Sequence, residues 1–363
     1  MSAPPARRRA GSFCGSVLGA SAPPADAAAD AADAAARPKP TTMPALVKID
    51  GVPAWMRKDD LLTGYRPLLQ SYELCLGSVF ALHNQTLNIY SALCCIAWNA
   101  ALGAMQWRQW QSIDAALIDA GFGAAPDAGV PFGQWVGAGA VPGSVYGWLL
   151  AHIVLRMLCW VASAGWHTLE AHSPAVAELW CTLDFLGIYT SFIGMGGNAI
   201  NALCLATCAA PATRAALLGW GTLASCAAIG CSFTEWFRRD ARVSGGVFGV
   251  VMASYVLPIA ALGWGLPGSP LRFLVWSCTS AALGGACYLT RVPERFVKHR
   301  WLDVGAPSHS LWHWGNVPHD FFVLSFTWAL SQLALRQGFA CPAPAGAHPI
   351  AGPIADALGA WWY

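Results

Sequence analysis

Charge is what this chain has least of. Of 363 residues only 11% are Asp, Glu, Lys or Arg, while 56% are hydrophobic. Soluble domains carry about a quarter charged residues. A water-exposed fold this poor in charge has too little polar surface to cover itself, whereas lipid solvates an apolar exterior. The formal net charge of +2 is too small to call for nucleic acid. There is no C-x-x-C and no regular cysteine framework among the 13 cysteines. Most sit inside apolar runs, where a free thiol behaves as a small hydrophobe, so no disulfide is expected. No signal-peptide hydrophobic region opens the chain. Residues 1–45 are rich in Ala, Pro and Arg and short of large apolar side chains, which predicts a disordered tail. Arg7, Arg8 and Arg9 suit an Arg-rich transit peptide, but Asp26, Asp30 and Asp33 do not.

What the chain does have is long apolar runs. Crossing the hydrocarbon core takes about 20 mostly apolar residues. Seven runs qualify, near 87–106, 144–166, 180–203, 212–233, 244–265, 271–290 and 309–333. The expected fold is an all-α membrane protein, a seven-helix transmembrane bundle over 46–335 with a tail at 336–363. The Gly-, Pro- and Trp-rich stretch 107–142 reads as an interfacial loop. Arg57, Lys58, Arg66, Arg238, Arg239, Arg242, Arg291, Arg295, Lys298 and Arg300 fall on one side of such a bundle. Arg108, Arg214, Arg272 and Arg336 fall on the other, ten against four. The positive-inside rule then places the N-terminus in the cytosol and the C-terminus outside. Which cellular membrane holds the bundle is open.

Ionisable residues in or beside spans are costly and are functional candidates by default. His167 ends the second span, Asp184 lies near the start of the third, and His309 and His313 open the seventh. Alternation of the spans brings all four to one membrane level. His309 and His313 are i and i+4, so their imidazoles leave one helix face. With His167 they make a three-nitrogen set, the pattern of a catalytic zinc site with one position open. Asp184 is either a fourth ligand or the holder of a water beside the metal. Ser163, one turn before His167, is placed to hydrogen-bond around the site. The bland readings are a buried polar contact between His152 and Arg156, and packing or polar-network roles for His319 and Asp320. His83, Asn84 and Asn88, near the start of the first span, are expected to hydrogen-bond to neighbouring segments such as Glu294 or Arg295.

Three blocks then carry a resemblance. Residues 63–93 read "TGYRPLLQSYELCLGSVFALHNQTLNIYSAL"; 163–188 read "SAGWHTLEAHSPAVAELWCTLDFLGI"; 291–313 read "RVPERFVKHRWLDVGAPSHSLWH". Together, in order across 63–335, they resemble the progestin and adipoQ receptor family, which is related to bacterial hemolysin III proteins. The chain departs from the family pattern at Gln85, where the family usually has Glu. It departs again between Glu294 and Asp303, which lack the usual Pro-Gly pair. The resemblance implies seven spans, a cytosolic N-terminus, and zinc on His167, His309 and His313 with Asp184 acting through a water.

Two functions follow from that resemblance. One is a receptor for a hydrophobic or protein hormone, with zinc tying helices together. The other is a zinc-dependent, ceramidase-like hydrolase of lipid amides, with Asp184 and Ser163 as catalytic groups. The partners implied are the bilayer and either a ceramide-like lipid or a hormone. A transporter is disfavoured because no inverted repeat or broken short helix is visible.

Overall fold

The computed structural model describes residues 40–58, 60–119, 142–234, 236–237, 241–264, 266 and 270–336. The expected tail over 1–45 therefore lies outside the described residues up to residue 39, and the tail beyond Arg336 lies wholly outside them. A short α1, Tyr72–Gly77, precedes seven long helices: α2, Thr86–Asp119; α3, Gly143–Leu169; α4, Pro174–Ala206; α5, Pro211–Ser232; α6, Ala241–Gly263; α7, Leu271–Thr290; and, after the short α8, Arg300–Gly305, the long α9, Ser308–Arg336.

Six of these, α2 to α7, are long and apolar enough to cross a membrane. The last, α9, has 29 residues but carries His309, His313, Asn316, His319 and Asp320, which lower its hydropathy. It sits among the other helices, packed on α7, α4 and α2. Its polar groups thus face protein, which is where a helix of this composition is tolerated. Large apolar side chains such as Trp220, Leu223, Val250, Leu257, Val275, Trp276 and Leu283 point outward from α5, α6 and α7. In water such a surface would be an aggregation liability; in hydrocarbon it is solvated.

The first long helix differs from expectation. Residues 107–119 continue α2 instead of entering a loop. Their tryptophans explain this: Trp110 is buried against Trp328 with ring centroids 5.0 Å apart, and Trp107 meets Tyr146 edge-on at 5.1 Å. Packing against α9 and α3 holds a stretch that composition alone assigned to the interface. Residues 120–141 lie outside the described part. Cys181 and Cys208 are each disulfide-bonded, contrary to the expectation of none. Scattered spacing gave no framework from which to read them.

Small residues set the closest helix contact. A Cβ on Gly187 would stand 2.7 Å from Cys159 Cα, and one on Gly194 would stand 2.7 Å from Ala151 O. Glycine at those two positions lets the α3 and α4 backbones touch, as small residues do in membrane bundles. The approach brings Ser163 of α3 beside Asp184 of α4.

Residues 40–85 cover one end of the bundle. Val47 and Tyr65 form an antiparallel bridge, Leu69 N–H donates to Ala171 O at 2.8 Å, and Asp303 accepts from Thr63 N–H at 2.9 Å. These bonds place the first segment, the α3–α4 turn and the α7–α9 connection at one level.

Candidate metal centre

The end of α3 is fixed first. Arg66, 2% exposed, donates from Nη1 to Ser78 Oγ and Thr168 O, both at 2.8 Å, and from Nη2 to His167 O at 2.6 Å. The last carbonyls of a helix have no partner within it, and a cation there meets the negative end of the helix dipole. Burial lowers the pKa of this guanidinium, while Glu170, 3.7 Å away, works against that shift. Lys58 binds the same carboxylate at 3.0 Å and lies over the Trp166 ring.

The start of α9 is fixed by Glu294. Its carboxylate accepts from Ser308 N–H at 2.9 Å and from the Ser308 hydroxyl. An acidic group on the first N–H of a helix is an effective cap. The capped Ser308 stands one residue before His309. Ser173 does the same for α4, accepting from Val176 N–H, with Pro174 as first helical residue.

These two ends bring His167, His309 and His313 together. One nitrogen from each lies within 4.8 Å of the others, all sheltered by the bundle. His167 Nε2 and His309 Nε2 are 3.1 Å apart. Two nitrogens each about 2.0–2.1 Å from one zinc would lie roughly 3.3 Å apart. The outer ring atoms decide which nitrogen faces inward. His167 Nδ1 is 2.8 Å from Gln85 Oε1, an oxygen that only accepts, so Nδ1 carries the proton and Nε2 presents its lone pair. His313 Nδ1 is 3.2 Å from Asn88 O and 2.9 Å from Ser91 Oγ, which sets the same tautomer. His167 and His313, neutral imidazoles anchored at Nδ1 with Nε2 lone pairs, together with His309 make a nitrogen set that fits a borderline-soft cation such as zinc.

Asp184 is not part of the converging set. It lines the adjoining cavity with Ser163, whose hydroxyl it accepts. Ser163 Oγ is 3.5 Å from His313 Nε2. The serine's one proton is committed to the carboxylate, so it does not compete for the histidine lone pair.

The cavity, about 400 Å³, runs from this cluster between α3, α4, α6, α7 and α9. Its walls include Phe192, Phe248, Met252 and Trp312. Ala282, Ala286 and Leu289 of α7 are both cavity wall and outer surface, so the space opens sideways.

Several contacts differ from the sequence expectation. Gln85, read there only as a departure from a pattern, is the group that orients His167, and it also accepts from Asn88 Nδ2 at 2.7 Å. His83 bonds locally, with Nδ1 accepting from Gln85 N–H at 3.1 Å and Nε2 3.1 Å from Ser78 O. Asn84 N–H donates to Gly64 O at 2.8 Å. The expected link to Glu294 is not the one formed, because Glu294 is used on α9. Arg156 pairs with Asp320 at 2.8 Å, and His152 meets Asn198 at 3.2 Å, so the two do not pair with each other. No local pattern marks Gln85 or Glu294. Gln85 acts on His167, 82 residues away, and Glu294 on the helix that begins 14 residues later.

Residues 80–318 match the profile of a family described as haemolysin-III related. The chain is 26% identical over 276 residues to progestin and adipoQ receptor-like protein 1 of Caenorhabditis elegans, covering 74% of this chain and 57% of that protein. It is 25% identical over 271 residues to the adiponectin receptor protein of Drosophila melanogaster, covering 72% and 54%. It is 24% identical over 281 residues to the ADIPOR-like receptor IZH1 of Eremothecium gossypii, covering 74% and 79%. The chain thus spans a little over half the length of the first two.

Proposed function

Given that this chain belongs to the haemolysin III-related family and is a multi-pass integral membrane protein, we propose that it is a receptor-like protein holding zinc on His167, His309 and His313. The single observation that carries the reading is the convergence of three imidazoles, His167 and His313 buried and His309 half-buried, with the outer nitrogens of His167 and His313 committed to Gln85, Asn88 and Ser91. Desolvating an unpaired polar group costs on the order of 1–3 kcal/mol, and a shared cation removes that cost for three at once. The names of the relatives favour a receptor for a hormone or a hydrophobic ligand. The laterally open apolar cavity favours a ligand that arrives through lipid. In a receptor the ligand would act by favouring one packing of α3, α4 and α9 over another.

A second reading rests on Asp184. The carboxylate stands beside the three nitrogens without joining them, and the open side faces the cavity. Zinc bound there would supply Lewis acidity and an acidified water. Asp184 would hold and take the water's proton, Ser163 would keep that carboxylate in place, and the apolar walls would exclude bulk water from an amide. This is the chemistry of a ceramidase-like lipid amide hydrolase.

One experiment separates the readings. Purified protein is assayed for zinc per chain and for ceramide hydrolysis, with and without chelator. Zinc without chelator-sensitive hydrolysis supports the receptor. Hydrolysis that is lost in Asp184→Asn with zinc retained supports the enzyme. Absence of zinc removes both.

A further inference from the structure

The cavity has a second polar wall, deeper in the bundle, that neither reading uses. Arg156 and His319 both line it. Arg156 Nε donates to Asp320 Oδ1 at 2.8 Å and Nη2 donates to Asn316 Oδ1 at 2.7 Å. Asn99 Nδ2 donates to the other Asp320 oxygen at 2.7 Å. The Arg156 side chain is 6% exposed and that of Asp320 is 0%. Guanidinium and carboxylate neutralise each other there, so this wall has no net charge with which to attract an ion. Yet Arg156 Nη1 donates to no group among the described residues.

His319 offers the complement. Its Nδ1 is 2.8 Å from Ser277 Oγ and 3.2 Å from Ser277 O, and the carbonyl can only accept. As a neutral imidazole it therefore carries its proton on Nδ1. Nε2 is left as a lone pair with no partner among the described residues. The residue is 8% exposed. One wall of one cavity thus holds an unused donor and an unused acceptor. A hydroxyl is the small neutral group that satisfies both, accepting from one and donating to the other.

We propose that Arg156 and His319 form a hydroxyl-recognition subsite, and that the cavity's ligand is a lipid whose hydroxyl lies about 10 Å from the group held at the histidine cluster. The spacing comes from the helices. Arg156 is seven residues from Ser163 along α3, and His319 is six from His313 along α9. At about 1.5 Å per residue these give roughly 10.5 and 9 Å. The proposal rests on the lipid-cavity reading above, and its test distinguishes the two.

The probes are octadecanoate and 10-hydroxyoctadecanoate, whose hydroxyl sits at about that distance from the carboxylate. Binding to the purified full chain is measured by quenching of tryptophan fluorescence and by thermal shift. The hydroxy acid should bind between about twofold and tenfold tighter, the yield of one net hydrogen bond. The preference should vanish in His319→Leu. It should also vanish in the double variant Arg156→Met with Asp320→Leu, which removes both charges together and leaves neither stranded. If one variant does not fold, the other decides. Equal binding of the two acids, or a preference that survives the substitutions, overturns the subsite while leaving the lipid cavity standing. Binding of neither acid overturns the cavity reading and the subsite with it.

Discussion

Gln85 shows how much of the centre rests on residues outside it. Its side-chain oxygen fixes the His167 tautomer from 2.8 Å. Partners of metal-ligating histidines are worth about 10–100-fold in metal affinity. Gln85→Ala should weaken zinc binding by that order, and Gln85→Glu should strengthen it, because a carboxylate makes the imidazole a better donor. Competition against a graded series of chelators checks both signs; an affinity unmoved by either substitution would mean that Gln85 does not orient the ring. His83, a neighbour, gives a pH prediction. Burial first, then the Arg66 charge, pushes its imidazole down to about 3. The unfolded chain would titrate near the ordinary value of about 6.5. Between those values the folded state binds fewer protons, so His83 adds stability above about pH 6.5 and loses it as pH falls toward 3. The melting temperature in detergent should drop more between pH 7 and pH 5 for wild type than for His83→Asn. Parallel curves would remove His83 from the account. At this scale the sequence was legible where spacing is local or topology is simple, as at His167, His309 and His313. It did not give the partners of Gln85, Ser91 and Arg156, which lie between 82 and 222 residues away.

Among the elements, α3 and α4 form the contact on which the centre depends. A side chain at Gly194 would meet the Ala151 carbonyl and His152 Cα, at 2.7 and 2.9 Å, and neither backbone atom can yield cheaply. Gly194→Val should cost about 1–3 kcal/mol or more and lower the melting temperature by several degrees. Gly147, on α3 with open space around its Cβ position, is the control. Gly147→Ala should be neutral or slightly stabilising, since alanine is the better helix former. Equal effects at the two sites would argue against close packing as the reason for glycine. The hydrophobic runs foretold every long helix to within a few residues except the end of α2 and the start of α4, which lies six residues before the run at 180–203. There, aromatic packing of Trp107 and Trp110 overrides a composition that reads as interfacial. The pairing of α3 with α4 could not be read, because small residues look alike whether they face lipid or a backbone.

For the molecule as a whole, the end that carries the histidines also carries exposed Arg295, Lys298 and Arg300. By the positive-inside rule we propose that this end faces the cytosol. Lys298→Cys in intact cells should react with a membrane-impermeant maleimide only after permeabilisation; reaction beforehand would invert the proposed orientation. The central claim is that three distant histidines meet in order to hold one zinc. Metal analysis of the purified protein, beside His313→Ala, tests it most directly. About one zinc per chain in wild type, lost in the variant while the helical content by circular dichroism is kept, is the predicted result. Zinc content unchanged by His313→Ala, or absent from wild type, would contradict it.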